Sequence, residues 1–209
     1  MVPMPSADTQ DRVVAQAEEA GRLLGDADHL RLLAVARASI AHGLLHGRAA
    51  SVDSASESPA LRSPGAAFVT LELHGQLRGC IGSLEPHGGR SLAADVSENA
   101  YAAAFRDPRF APLGQHELAA LHISISVIGP REPIACASES DLLAALSPGV
   151  DGLILEAGAC RGTFLPSVWE QLPRPADFLR HLKRKAGLAE NQWPENLQAW
   201  RYRTEYFGE

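Results

Sequence analysis

The chain has 209 residues, 45% of them hydrophobic, which suits one large domain or two small lobes sharing a core. A formal net charge of −6 and a pI near 5.7 disfavour a broad electropositive face, so nucleic acid is not an expected partner. Three widely spaced cysteines, Cys80, Cys136 and Cys160, form no Cys-x-x-Cys pair and are odd in number, which argues against a disulfide framework or a zinc knuckle and for reduced thiols.

From the start of the chain, Met1 to Gln10 lacks a basic segment followed by an apolar one, so a secretory signal is not expected and the cytoplasm is the expected location. Thr9 to Leu24 reads as a short polar helix within an N-terminal extension, residues 1–27. Asp28 to Leu45 carries a cleaner helix, with Leu33, Ala36, Ile40 and Leu44 at helical spacing. Between Gly47 and Gly65, Ser, Ala and Pro without apolar periodicity predict an irregular connection.

Ala66 to Leu73 alternates Val69, Leu71 and Leu73 against Phe68, Thr70 and Glu72, and a His-Gly turn leads into a second strand over Leu77 to Leu84. This predicts a β-hairpin. Its apolar runs, like that from Leu121 to Ile128, are far shorter than the ~20 residues that span a bilayer, so no membrane is expected. Ser91 suits the N-cap of a helix running to about Phe105, terminated at Asp107-Pro108. Leu121, Ile123, Ile125 and Val127 alternate with His122, Ser124 and Ser126 as a strand with one apolar face. Ser138 to Asp141 resembles a capping box ahead of Leu142 to Leu146.

Leu153 to Glu156 and Arg161 to Leu165 predict a second hairpin, stopped by Pro166 and followed by two short helices. The second helix, Pro175 to Ala186, ends at Gly187 after a basic last turn, Lys183-Arg184-Lys185, that complements the helix dipole and needs no ligand. Trp200, Tyr202, Thr204 and Tyr206 alternate as one closing strand. Hairpins mixed with helices mean an α+β fold, read as one folded unit, with Trp169, Trp193, Trp200 and Phe164 filling core or a seam between lobes.

Within the first hairpin, Arg78-Gly79-Cys80-Ile81-Gly82 sets a thiol between two glycines, which give up packing and mark a bend, a bulge or close approach by another group. A free cysteine is commonly a small buried hydrophobe, and hairpin register decides between that and a reactive thiol. If His74-Gly75 forms a two-residue type I′ turn, simple alternation puts Cys80 with Val69 and Leu71 in the core. A three-residue loop, Gly75-Gln76-Leu77, puts it with Glu72 and His74 instead. A reactive thiol needs its thiolate stabilised below the ~8.5 of a free cysteine, and Arg78 is the local cation. His74, His87, His116 and His122 are candidate bases, none singled out by spacing.

Arg78, Arg106, Arg109 and Arg161 offer guanidinium forks for a carboxylate or phosphate, with Arg78 and Arg161 the stronger candidates. Gly88-Gly89-Arg90-Ser91 resembles a small anion cradle before a helix, but it lacks the Lys-Ser/Thr ending of a P-loop. The glycines Gly75, Gly79 and Gly82 do not follow Rossmann spacing. His74, Cys80 and His87 do not form a standard metal motif, so no metal and no cofactor are expected.

Leu77 to Gly82, Asp107-Pro108-Arg109-Phe110, Pro148 to Leu153 and Arg161 to Pro166 occur in the order of the signature blocks of the AMMECR-one domain family, which this chain resembles. Glu98-Asn99-Ala100 and Val168-Trp169-Glu170 extend the resemblance over residues 28–209. Ser167 departs from the usual glutamine, and the loop His87-Gly88-Gly89-Arg90 also departs from the pattern. The resemblance implies an α+β fold, mainly antiparallel sheet flanked by helices, with a larger and a smaller lobe, and it implies no particular activity. It also implies partners: prokaryotic members accompany a Memo-like protein and a radical S-adenosylmethionine protein in the AmmeMemoRadiSam system, where this chain resembles component A.

Two functions follow as expectations. In the first, a cleft holds a small anionic molecule, Cys80 and Arg78 act catalytically, and Gly79, Gly82 and Arg161 bind the ligand. In the second, the domain is a non-catalytic module whose Cys80 hairpin docks to the Memo-like and radical proteins.

Overall fold

A computed structural model describes residues 23–209. The polar helix expected over residues 9 to 24 falls almost wholly outside the described residues. The chain divides into two compact units, one made of the described residues up to Ile125 with Phe207–Glu209, the other of Ser126–Tyr206.

In the first unit, helix α1 (Asp26–His46) buries Leu32, Leu33, Val35, Ala36, Ser39 and Ile40 along one face. It ends where Gly47 turns left-handed and its N–H returns to the carbonyl of Gly43. The stretch after it, expected to be irregular, contains a 3-10 turn at Ser54–Ser56 and a short helix α2 (Pro59–Arg62). Both begin on a local acceptor: Asp53 Oδ1 takes the N–H of Ala55, and Ser58 Oγ takes that of Leu61. Leu61 is fully buried and anchors the segment.

Strands β1 (Ala67–Leu73) and β2 (Gln76–Gly82) form the expected hairpin. Its turn is His74-Gly75, both at positive φ (54° and 75°), as a type I′ turn requires. Helix α3 (Leu92–Phe105) starts at Ser91, whose Oγ accepts the N–H of Ala94 at 3.3 Å, and lies against both strands. Strand β3 (Leu121–Ile128) follows. The sheet has the order β2-β1-β3-β8, where β8 is Thr204–Gly208. Val69, Leu71, Val96, Ala100, Ile123 and Ile125 are fully buried in this unit.

A buried polar cluster fixes the open end of the hairpin to α3. Asp95 accepts the N–H of Ala67 at 3.0 Å, the Asn99 amide at 2.8 Å and the Ser83 hydroxyl at 2.9 Å, and Asn99 also donates to the Ala67 carbonyl. Burial pushes the Asp95 carboxyl up, against the pull of these donors. A folded-state value above the unfolded one means this group favours folding most in acid, and that contribution is lost as pH rises through the raised value.

In the second unit, β4 (Glu132–Pro133), β5 (Gly152–Ala157), β6 (Cys160–Phe164) and β7 (Gln198–Tyr202) pair antiparallel in the order β4-β7-β5-β6. Helix α4 (Glu139–Ala145) begins with the expected capping box between Ser138 and Asp141. A 3-10 turn (Pro166–Glu170) and helix α5 (Pro175–Ala186) are the two expected short helices. Leu142, Leu153, Leu155, Trp169, Phe178, Leu179 and Leu182 form the core, with the Trp169 and Phe178 rings stacked at 3.8 Å. Phe164 and Trp193 pack on its margin, as their aromatic bulk suggested.

Two expectations change here. The single closing strand is two: β7 belongs to the second sheet and β8 to the first, with the chain switching sheets at Arg203. The basic end of α5 is not a uniform surface cluster either. Lys183 is fully buried, with Nζ on Glu139 Oε2 at 2.5 Å and on the Glu190 carbonyl at 3.0 Å. Its ammonium joins α4 to the loop after α5 rather than only facing the helix dipole.

The inner face of β2 leaves no room for a side chain at Gly79, where a Cβ would overlap the backbone carbonyl of Ala103 in α3. Gly79→Ala is expected to lower stability by about 1–3 kcal/mol, because the obstructing atom is helix backbone and cannot rotate away. Urea denaturation of the wild type and the variant checks this.

Candidate functional site

The register of the first hairpin places Cys80 by a route that neither simple alternative contains. Leu73 pairs with Gln76 across the two-residue turn and Glu72 with Leu77, but Leu71 pairs with Gly79. Arg78 is therefore an extra residue, a β-bulge, and beyond it every side chain of β2 changes face. Cys80 pairs with Thr70, not with Val69 or Leu71, so the type I′ turn coexists with a thiol on the outer, half-buried face of the sheet.

There the Thr70 hydroxyl donates to Cys80 Sγ at 3.3 Å. Gly82 lies on the same face opposite Phe68, where a Cβ would overlap the phenyl ring. The two glycines thus answer to protein neighbours, helix backbone at Gly79 and an aromatic ring at Gly82.

The outward backbone of Cys80 is held by the loop after α3. Strand β2 is the edge of its sheet, and an edge strand carries N–H and C=O groups with no strand to pair them. Asp107 accepts the N–H of Cys80 at 2.9 Å, and Arg109 Nη2 donates to the Cys80 carbonyl at 3.2 Å. The same two residues grip each other, Arg109 Nε to Asp107 Oδ1 at 2.9 Å and Nη2 to Oδ2 at 2.7 Å, and the Arg109 N–H also donates to Oδ1. The Asp107 side chain is 2% exposed, so its charge is stabilised almost wholly by these donors. The Arg109 guanidinium, then the N–H groups of Cys80 and Arg109, hold the Asp107 carboxyl well below the usual carboxylate range in spite of burial. Arg109 is raised in turn by Asp107, with a smaller contribution from Cys80.

Arg78, expected as the cation beside the thiol, turns to Glu117, with Nε on Oε1 at 2.7 Å and Nη2 on Oε2 at 3.0 Å. Glu117 sits in a 3-10 turn (Gln115–Ala120) and also accepts the N–H of Gly114 at 2.7 Å. Arg78 and that N–H together hold Glu117 near 2, so the stabilisation it provides is complete above the ordinary glutamate value and is lost as pH falls toward 2. Arg161 lies on β6 in the other unit, paired with Glu156 at 2.6 Å, and Arg106 rests over the Tyr101 ring. Among the described residues the Cys80 thiol has Thr70 as its hydrogen-bond partner, and none of the four candidate histidines hydrogen-bonds to it.

The sequence model of the AMMECR1 family matches residues 33–207, which include the Cys80 hairpin, the Asp107 loop and both sheets. The chain belongs to the AMMECR1 family. A protein of Methanothermobacter thermautotrophicus is 40% identical over 145 residues, covering 68% of this chain and 74% of the relative. One of Aeropyrum pernix is 35% identical over 190 residues, covering 86% and 78%. The crystal structure of the uncharacterized protein PH0010 from Pyrococcus horikoshii is similar with a TM-score of 0.78 and 30% identity, over 90% of this chain and 94% of that one.

For this AMMECR1 domain, the Asp-Pro-Arg-Phe block was visible in sequence as a signature, but its role as a clamp on the β2 edge was not. Thr70 and Glu117 carried no sequence signal beyond strand alternation and a Gly-x-x-Glu spacing at a turn. Among the described residues no helix is long and apolar enough to cross a membrane, and no group of three or more His, Cys, Asp or Glu side chains is placed to hold a metal ion.

Asp107→Ala strands the N–H of Cys80 and is expected to cost about 1–3 kcal/mol at neutral pH. The gap between wild type and variant should narrow as pH falls from the usual carboxylate value toward the depressed folded-state one, because the unfolded carboxyl protonates first and folding must then release its proton. Chemical unfolding at a series of pH values measures both effects.

Proposed function

We propose that this AMMECR1 domain uses Cys80 as a reactive thiol toward a small electrophilic molecule. The observation that carries the reading is the bulge at Arg78, which turns Cys80 outward, beside a hydroxyl that donates to its sulfur. The outward face leaves the thiol half-buried rather than in the core, and it is the thiolate form of a cysteine that attacks an electrophile. Arg109 takes the part first expected of Arg78, because its guanidinium is fixed against the Cys80 carbonyl while that of Arg78 is fixed on Glu117. Asp107 is a positioning residue in this scheme, since it holds both the Cys80 backbone and Arg109.

Alkylation with iodoacetamide, followed by peptide mapping, tests the proposal. Cys80 is expected to label faster at neutral pH than Cys136, whose thiol is pushed up by burial and, to a lesser degree, by Asp141. Thr70→Val should slow labelling at Cys80 alone. Labelling of Cys80 no faster than that of Cys136, or unaffected by Thr70→Val, would remove the basis for a thiol function.

A docking role has its own supporting observation in Leu77, which is 45% exposed next to the hairpin turn. On this second reading the hairpin meets a Memo-like or radical S-adenosylmethionine protein through Leu77. Leu77→Asp should then abolish co-purification with such a partner while Cys80→Ser preserves it. The reverse pattern would reject docking through this hairpin.

A further inference from the structure

Two guanidinium groups, one from β2 and one from the loop that clamps it, share one arrangement. Arg78 and Arg109 both lie over Phe110, their guanidinium carbons 6.0 and 5.4 Å from the ring centre. Each turns its Nε and Nη2 edge to a single carboxylate, Glu117 for Arg78 and Asp107 for Arg109. In each case the third nitrogen, Nη1, finds no acceptor among the described residues, and for Arg78 that nitrogen is buried. A buried guanidinium N–H without an acceptor carries the full desolvation cost of the group, so the site is energetically incomplete as the protein alone builds it. The carboxylates meanwhile lock both forks in place, which removes much of the ordering cost a flexible arginine would meet on binding.

We propose that Arg109, with Arg78 beside it on Phe110, recognises an oxyanion, a carboxylate or a phosphate, through the guanidinium N–H groups that Asp107 and Glu117 leave unused, and that this oxyanion is carried by the molecule that reacts at Cys80. The link to a reacting molecule rests on the thiol function proposed above, whereas oxyanion binding does not require the sulfur. Because Glu117 and Asp107 already neutralise the two arginines, recognition comes from directed N–H donors rather than from excess positive charge. Arg109 connects the two parts, since its Nη2 holds the Cys80 carbonyl while its side chain is 53% exposed and reachable.

Paired electrophiles test this on the intact chain. Iodoacetate and iodoacetamide react alike: the thiolate sulfur forms a bond to carbon, the carbon–iodine bond breaks and iodide leaves, but only iodoacetate carries a carboxylate. The ratio of iodoacetate to iodoacetamide rates at Cys80 is expected to exceed the ratio at Cys160 by about tenfold, the discrimination that ~1.4 kcal/mol provides. Arg109→Gln should bring the two ratios together. Arg109→Lys keeps the charge without the fork and should do the same, which covers the case of a poorly folded glutamine variant. Inorganic phosphate and malonate, added separately at matched ionic strength, identify the preferred oxyanion by which of them slows iodoacetate at Cys80.

Equal ratios at Cys80 and Cys160, or a raised ratio that survives both Arg109 variants, would overturn the inference. If Cys80 proves inert to both reagents the thiol reading fails, and the anion site is then judged in Cys80→Ser. Phosphate or malonate at tenfold its dissociation constant should raise the melting temperature of that variant by roughly 3 °C. No shift beyond that of sodium chloride at equal ionic strength would overturn oxyanion recognition by itself.

Discussion

The carboxylate of Asp107 holds the first unit's candidate site together. It accepts the N–H of Cys80 from the edge of the sheet and, on its other side, the guanidinium and the N–H of Arg109. Without it, β2 would present Cys80 with an unpaired N–H, and Arg109 would keep only its contacts with the Cys80 carbonyl and the Phe110 ring. The loop that carries Asp107 is itself tied down, because the N–H of Leu113 returns to the carbonyl of Ala104 in α3. Helix end, loop and edge strand therefore constrain one another, and the thiol inherits its position from that constraint.

The Arg-Gly-Cys-Ile-Gly block divides into parts with different physical causes. Gly79 is small because the helix backbone of Ala103 occupies the place of a side chain, and Gly82 because the Phe68 ring does. Arg78 is the bulged residue and reaches Glu117. Each of these three is accounted for by the fold. Cys80 is different: it faces outward, it is half-buried, and its contact with Thr70 asks for a hydroxyl donor but not for a sulfur. The composition of the block is thus mostly architecture, and the thiol is the residue that architecture leaves over.

Local chemistry made much of the fold legible. Ser91, Ser138 and Gly187 mark helix ends through side-chain oxygens or a left-handed glycine that act within one turn of chain. Alternation in Ala66 to Leu73 and Leu121 to Val127 reported strands with one buried face. What escaped was set by partners distant in sequence. The two helical turns between residues 47 and 65 depend on Leu61 reaching the core, and the split of the closing strand depends on which sheet each half joins. Alternation continues smoothly through Arg203, so periodicity cannot show a change of sheet. Lys183 likewise reads as a surface residue until Glu139, 44 positions away, is brought against it.

At Cys80 the two levels separate cleanly. Residue types alone identified the hairpin, its His-Gly turn and the thiol between glycines, because positive φ at a turn and the cost of glycine in a strand are local matters. The face on which the thiol stands was not a local matter. One extra residue at Arg78 reverses every later side chain of β2, and that bulge goes with Gly79 packed on α3 and Arg78 paired with Glu117, contacts that form when strand, helix and loop come together.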